Sequence, residues 1–392
     1  MQKITDRKIV ISLGLLTLAV YFFSSGGEGK YWNYFVLLAD AFLHGRLNVI
    51  DHPDWLNELI VWQGKYYVVY PPMPAILLMP FVAMFGKNFP QPILSIFLAA
   101  ASVSLSYLIF IKLSQKRSIA LWTSILYAFG TMQWYHAEVG SAWYLAHIVT
   151  LFFLWIMLWE VVTNQRLFVI GLLIGFAYLA RLPAVLSIFF IFFYLHKKFI
   201  DLGKRQILFK NFTLLGLGLL PSLVFNFLYN YLRFGVIYDI SYSLLPIFNE
   251  PWYKYGLFNI RYIPIHLWEI FTALPKFVPN FPFMIPSINV MALWFVTPAF
   301  AVILFAKFKD KLVRSSLLTV IIMALPSLTH GSNGFSQFGF RFALDFMPFL
   351  LLLTASGMRN RLTNWIKALI VLSILINFWG IIMISFLKIW VI

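Results

Sequence analysis

Apolar positions in this chain gather into blocks long enough for an α-helix, rising about 1.5 Å per residue, to cross a hydrocarbon core of about 30 Å. They do not follow the two-residue alternation of an outer-membrane barrel strand. Read in order, the blocks predict eleven spans, at 9–25, 92–111, 119–135, 142–159, 167–180, 183–195, 212–232, 288–306, 317–328, 342–357 and 368–386. The block at 75–85 follows Pro71, Pro72 and Pro74 and is too short to cross, so it predicts an interfacial or re-entrant helix. Between Arg166 and His196 the only charge is Arg181, followed by Pro183; two short spans with Arg181 at the outer turn keep the basic stretch after His196 inside.

What the apolar blocks leave over defines the organisation. Two large external loops are expected, 26–91 and 233–287, with two small ones at 136–141 and 329–341. No soluble domain, low-complexity run or internal repeat interrupts the pattern, so residues 1–392 read as one transmembrane domain.

Composition agrees with the pattern. Hydrophobic residues make up 61% of the 392 positions and charged residues 11%, with a mean hydropathy of +0.83, where a soluble chain is about half apolar and a quarter charged. The expected class is an all-α polytopic membrane protein. Its net charge of +16 would suit a nucleic-acid partner, but the positions of the charges argue against one. With the N-terminus placed in the cytoplasm and the spans alternating, 19 of the 30 basic residues fall inside against only Asp6, Glu160, Asp201 and Asp310 of the acids. That asymmetry is the one expected of cytoplasmic loops. The first span lacks a small-residue cleavage site and reads as a retained helix in a bacterial cytoplasmic membrane. No cysteine is present, so thiolate metal sites are excluded.

Candidate chemistry lies on the outer side. The first loop holds Asp40, Asp51, Asp54 and Glu58, with Glu28 just before its aromatic core. His44 stands one helical turn after Asp40 and shares its face, an arrangement that equally suits an interfacial helix with a polar side. The stretch from Asp51 to Glu58, with His52, would admit a divalent cation such as Mg or Mn through oxygen and imidazole ligands, yet its spacing matches no sharp metal motif. Glu138 lies between two spans, with His136 and His147 nearby in sequence. Arg181, Arg233, Arg261 and Arg341 sit near outer span ends, against the inside bias; they would suit a phosphate held by guanidinium forks or serve as snorkelling anchors. Asp345, four residues after Arg341 on an expected helix, would pair with it.

These patches bear a family likeness. LADAFLHGRL at 38–47 and WQGKYYVVYPPMPAILLMPF at 62–81, which contains Tyr70, resemble the first loop of bacterial membrane glycosyltransferases of the GT-C superfamily, relatives of the dolichyl-phosphate-mannose-protein mannosyltransferases. The likeness recurs, in family order, in AYLARLPAVL around Arg181, FLYNYLRFGVIYDISY from Phe227, GLFNIRYIP from Gly256 and SQFGFRFALDFMPFLLLLTASG from Ser336. It implies a fold of about eleven transmembrane helices with interfacial helices in a long first loop. The activity implied is inverting transfer of a sugar from a polyprenyl-phosphate carrier to a glycan, lipid or protein acceptor on the outer face. The resemblance would place the base at Asp40, then Asp51, and the family's second acidic position at Glu138. It would place phosphate and substrate contacts at Arg341, Arg181, Arg233, His44 and Tyr70. Lys30 and Tyr31 stand where many relatives carry an acidic pair, which leaves the base to another carboxylate, Glu28 or Asp40. A polymerase or ligase acting on lipid-linked glycans is the nearest alternative, and a flippase or other transporter the next; transporters usually carry ionisable groups at mid-membrane and show repeats.

Overall fold

The computed structural model describes residues 2–26, 31–114, 116–195, 205–359 and 361–392. The expectations for Glu28, Lys30 and the basic stretch 196–204 lie outside them. Helical backbone runs through each of the eleven apolar blocks, but the blocks at 119–135 and 288–306 are broken, at 130–132 and at Thr297, and 288–292 is irregular; among the described residues six helices are long and apolar enough to cross a membrane. The chain is an all-α integral membrane protein. Helix Ala142–Val162 lies at the centre of the bundle, 78% buried, whereas Ile4–Ser24 is 22% buried and leaves most of its apolar surface to lipid.

Prolines decide where the shorter spans break. Helix Leu167–Ala180 ends at Arg181, whose backbone is extended (φ −151°, ψ 118°), and a 3₁₀ segment, Leu182–Ser187, begins across Pro183. Pro183 has no N–H with which to continue the ladder, and its ring would meet the preceding turn. Thr297, directly before Pro298, likewise leaves the helical region (φ −133°, ψ 75°) between helix Leu293–Val296 and the 3₁₀ segment Pro298–Phe305. Helix Asn364–Ile381 satisfies the backbone groups freed at this break. Asn377 donates to the Val296 carbonyl over 2.9 Å, and the Ala299 N–H donates to the Ser373 hydroxyl over 3.1 Å. Irregular backbone at membrane depth persists only with such partners.

Helix Leu167–Ala180 lies directly against helix Arg205–Phe234. A Cβ at Gly171 would strike the Leu215 carbonyl, one at Gly218 the Phe168 carbonyl, and one at Gly175 the Ser222 side chain. Gly171 and Gly175 form the small-residue spacing that lets membrane helices touch backbone to backbone. Gly171→Val is expected to push the two helices apart and destabilise the protein by about 1–3 kcal/mol, read as a lower Tm in detergent; an unchanged Tm would mean the two backbones tolerate separation.

The first loop forms a compact cap. Helices Tyr34–Leu43 and Met73–Phe85 pack on each other. Between them lies a hairpin of strands Leu59–Trp62 and Lys65–Val68, closed by Gln63 (φ 49°) and Gly64 (φ 74°), the two positive φ values a type I′ turn demands.

Candidate active site at one end of the bundle

The site is built around one buried carboxylate. Asp345 accepts from Arg181 Nε at 2.7 Å and lies 2.9 Å from His147 Nδ1. Helix Ala142–Val162 supplies His147, and the helix break supplies Arg181 at the point where its side chain can turn toward the bundle interior. The pair expected between Arg341 and Asp345 does not form: Asp345's ion-pair partners among the described residues are Arg181 and His147. The reason is local geometry. Residues 341–346 are 3₁₀ rather than α-helical, and at three residues per turn positions i and i+4 point about 120° apart.

Arg341 is thereby left without an ion-pair partner among the described residues. Its guanidinium lies over Trp143, 4.7 Å from the ring centroid, and over Phe342 at 5.1 Å. Its backbone N–H donates to Gln337 Oε1 over 2.8 Å, and one guanidinium nitrogen donates to the Phe335 carbonyl. Arg341 Nε is buried without a hydrogen-bond partner among the described residues. Arg341 lies within electrostatic reach of Arg181; two guanidiniums against the single carboxylate of Asp345 leave a positive surplus suited to a phosphate.

The first loop forms the facing wall. Tyr70 packs edge-on against Tyr34 at 5.4 Å and against Trp143 at 6.3 Å, which continues the aromatic contact to Arg341. The Tyr70 hydroxyl is buried and unpartnered among the described residues. Tyr34 Oη accepts the Glu58 backbone N–H at 3.1 Å, which anchors the start of the hairpin to the first-loop helix. The Glu58 side chain is partly buried and lies within electrostatic reach of Arg341, Tyr242 and Tyr253. Burial pushes its carboxyl up to about 7, with Arg341 pulling the other way.

Other sequence candidates sit elsewhere or do other work. Arg233 is buried and donates to the Val68 carbonyl over 3.1 Å and to Asn230 Oδ1 over 2.7 Å, while lying 3.8 Å from the Tyr229 centroid. It clamps the hairpin to helix Arg205–Phe234, and Ser241 adds a hydrogen bond to the Val69 carbonyl at 3.2 Å. Asp40 is ringed by His44 (3.5 Å), Arg46 (3.5 Å) and Lys87 (3.9 Å); His44 also lies 2.8 Å from the Asp40 carbonyl, and its side chain is exposed. Asp51 is exposed on a left-handed residue (φ 54°). Glu138 is buried, with its carboxylate bonded to the Ser385 hydroxyl and its carbonyl to Ser25 at 2.9 Å, so it joins the end of the first helix to the end of the last. Among the described residues no group of three or more His, Asp or Glu is placed to hold a metal ion.

Two contributors were not singled out by the sequence, Trp143 and Tyr242, and Glu58 figured there only in a stretch that would admit a cation. For Glu58 a signal was present, because two β-prone runs, LIVW and KYYV, flank the two-residue Gln63–Gly64 turn and mark Glu58 as the residue entering a hairpin. Trp143 and Tyr242 are two aromatics among many, and nothing local distinguishes them.

No family profile matches the chain, and no curated protein matches its sequence. Its structure is similar to the crystal structure of ArnT from Cupriavidus metallidurans bound to undecaprenyl phosphate, with a TM-score of 0.52 at 12% identity. The similarity covers 92% of this chain and 61% of ArnT, so the chain spans about three-fifths of the length of that protein. Identity this low speaks for the fold alone: the chain shares the fold of that ArnT structure.

Proposed function

We propose that this protein is a membrane glycosyltransferase that moves a sugar from a polyprenyl-phosphate carrier to an acceptor at the outer face of a bacterial cytoplasmic membrane. The supporting observation is the pairing of Arg341, stacked on Trp143, with Arg181, held by Asp345, beneath an acidic first loop, on a fold shared with a protein whose structure holds undecaprenyl phosphate.

The chemistry needs few parts. An acceptor hydroxyl attacks the anomeric carbon from the face opposite the phosphate, so the configuration inverts. A first-loop carboxylate takes the hydroxyl proton. As the bond from the anomeric carbon to the phosphate oxygen breaks, the departing phosphate gains charge, and Arg341, seconded by Arg181, stabilises it. Because Asp345 holds the Arg181 side chain in place, little reorganisation is needed when that charge develops. Apolar helix faces beside the site would accommodate the polyprenyl tail. Asp40, Asp51 and Glu138 remain the carboxylates the family likeness suggests, with Arg233, His44 and Tyr70 on the substrate side; a bound Mg or Mn ion belongs to the same proposal.

Native mass spectrometry of the protein in mild detergent tests the reading. Retention of added undecaprenyl phosphate, or a co-purified polyprenyl-phosphate sugar, is the expected result. Ordinary phospholipid alone, with no retention of added undecaprenyl phosphate, would overturn it.

A further inference from the structure

We propose that Glu58 is the general base of this site, the carboxylate that accepts the proton of the acceptor hydroxyl. The proposal rests on the transferase reading and selects one carboxylate from those the first loop and its surroundings offer.

The selection follows from what each carboxylate already does. Asp40 is engaged by His44, Arg46 and Lys87, Asp51 is exposed, and Glu138 is bonded to Ser385. No hydrogen bond or ion pair engages the Glu58 carboxylate among the described residues. Its backbone is nonetheless fixed: the N–H is held by Tyr34 at 3.1 Å, and the next residue, Leu59, opens a strand paired with Val68. Tyr34 abuts Tyr70, Tyr70 abuts Trp143, and Trp143 carries Arg341. A rigid aromatic wall thus spaces a free carboxylate from the guanidinium assigned to the phosphate. A base and a phosphate-binding cation on opposite sides of the reacting carbon are what inverting displacement asks for.

In the step proposed, the acceptor oxygen bonds to the anomeric carbon while its proton passes to a Glu58 carboxylate oxygen. The bond from that carbon to the phosphate oxygen breaks, the phosphate keeps the electron pair, and polyprenyl phosphate leaves as the monoester. Glu58 then releases the proton to solvent. The charged and titratable groups facing Glu58 are Arg341, Tyr34, Tyr242 and Tyr253. Burial raises the Glu58 carboxyl to about 7, which suits a base working near neutral pH. The base is the deprotonated form, so transfer should rise as pH increases through about 7. Arg341 favours that form, so in Arg341→Ala the carbodiimide labelling of Glu58 should persist to higher pH.

The test uses the full chain in detergent with two readouts. The first is carbodiimide labelling, which captures protonated, partly buried carboxyls. With an apolar carbodiimide such as dicyclohexylcarbodiimide, label is expected on Glu58 at mildly acidic pH and should fade through about 7. The second is transfer from a panel of undecaprenyl-phosphate monosaccharides. Glu58→Gln should lower transfer about 10²-fold or more while undecaprenyl phosphate is still retained, and Glu58→Asp should recover part of the loss with a shifted pH profile. Absence of label on Glu58, Glu58→Gln within a few-fold of wild type, or a larger loss in Asp40→Asn would each overturn the assignment alone. A wild type that retains no undecaprenyl phosphate would remove the transferase reading, and the base with it.

Discussion

Replacing Arg341 by alanine is expected to abolish measurable transfer and to weaken retention of undecaprenyl phosphate sharply. The guanidinium lies over Trp143 and Phe342 and keeps a buried Nε without a partner among the described residues. A planar cation fixed in this way meets a phosphate with its donors already oriented, which is the arrangement in which charge-assisted hydrogen bonds are strongest. Donors that act on charge developing at a leaving group account for about 10²–10³ in rate when removed singly. Arg341→Lys should rescue little, because an ammonium can neither stack on Trp143 in the same way nor offer two parallel donors. Titration of wild type, Arg341→Ala and Arg341→Lys with undecaprenyl phosphate, followed by native mass spectrometry, reads the effect. Equal retention by all three would reduce Arg341 to a support for the Phe335 carbonyl, to which it donates.

The largest stability effect is expected at Asp345. Its carboxylate is buried and shared between Arg181 and His147 at 2.7 and 2.9 Å. Asp345→Asn leaves the Arg181 guanidinium, only 14% exposed, without its counter-ion; breaking a buried pair in this way costs about 3–5 kcal/mol. The protein should therefore show a lower Tm in detergent and reduced yield. A double replacement, Asp345→Leu with Arg181→Leu, removes both charges and should recover much of the stability, because apolar residues of similar volume often substitute for a buried pair without loss. It should not recover transfer, since Arg181 would no longer face the leaving phosphate. A double variant as unstable as the single one would show that packing around His147, rather than charge, holds this region together.

The site divides into residues that could be read from the chain and residues that could not. Arg181 and Arg341 stand out in sequence because a cation at an outer span end runs against the inside bias of basic residues. Both belong to the candidate site. The Arg341–Asp345 pair was expected on helical spacing, and a 3₁₀ turn redirected it: Asp345 instead closes on Arg181, 164 positions away. Spacing along one element says which side chains share a face only when the type of helix is known. Glu58 reads as one acid in a solvated loop until the hairpin folds it against Tyr34, and that Arg233 also braces the hairpin through the Val68 carbonyl is visible only in the fold.

By itself, the sequence determined the class of protein and the position of its spans, because transfer of apolar blocks out of water and the need to satisfy every backbone group in lipid leave helices as the answer. It also determined the break at Pro183, where two short spans were expected; the break before Pro298 divides a block that read as a single span. Only the tertiary structure decided which charges meet. Arg181, His147 and Asp345 come from three separate elements, and their approach depends on how closely Leu167–Ala180 and Ala142–Val162 pack, an outcome of side-chain shape summed over the whole bundle that no local pattern encodes.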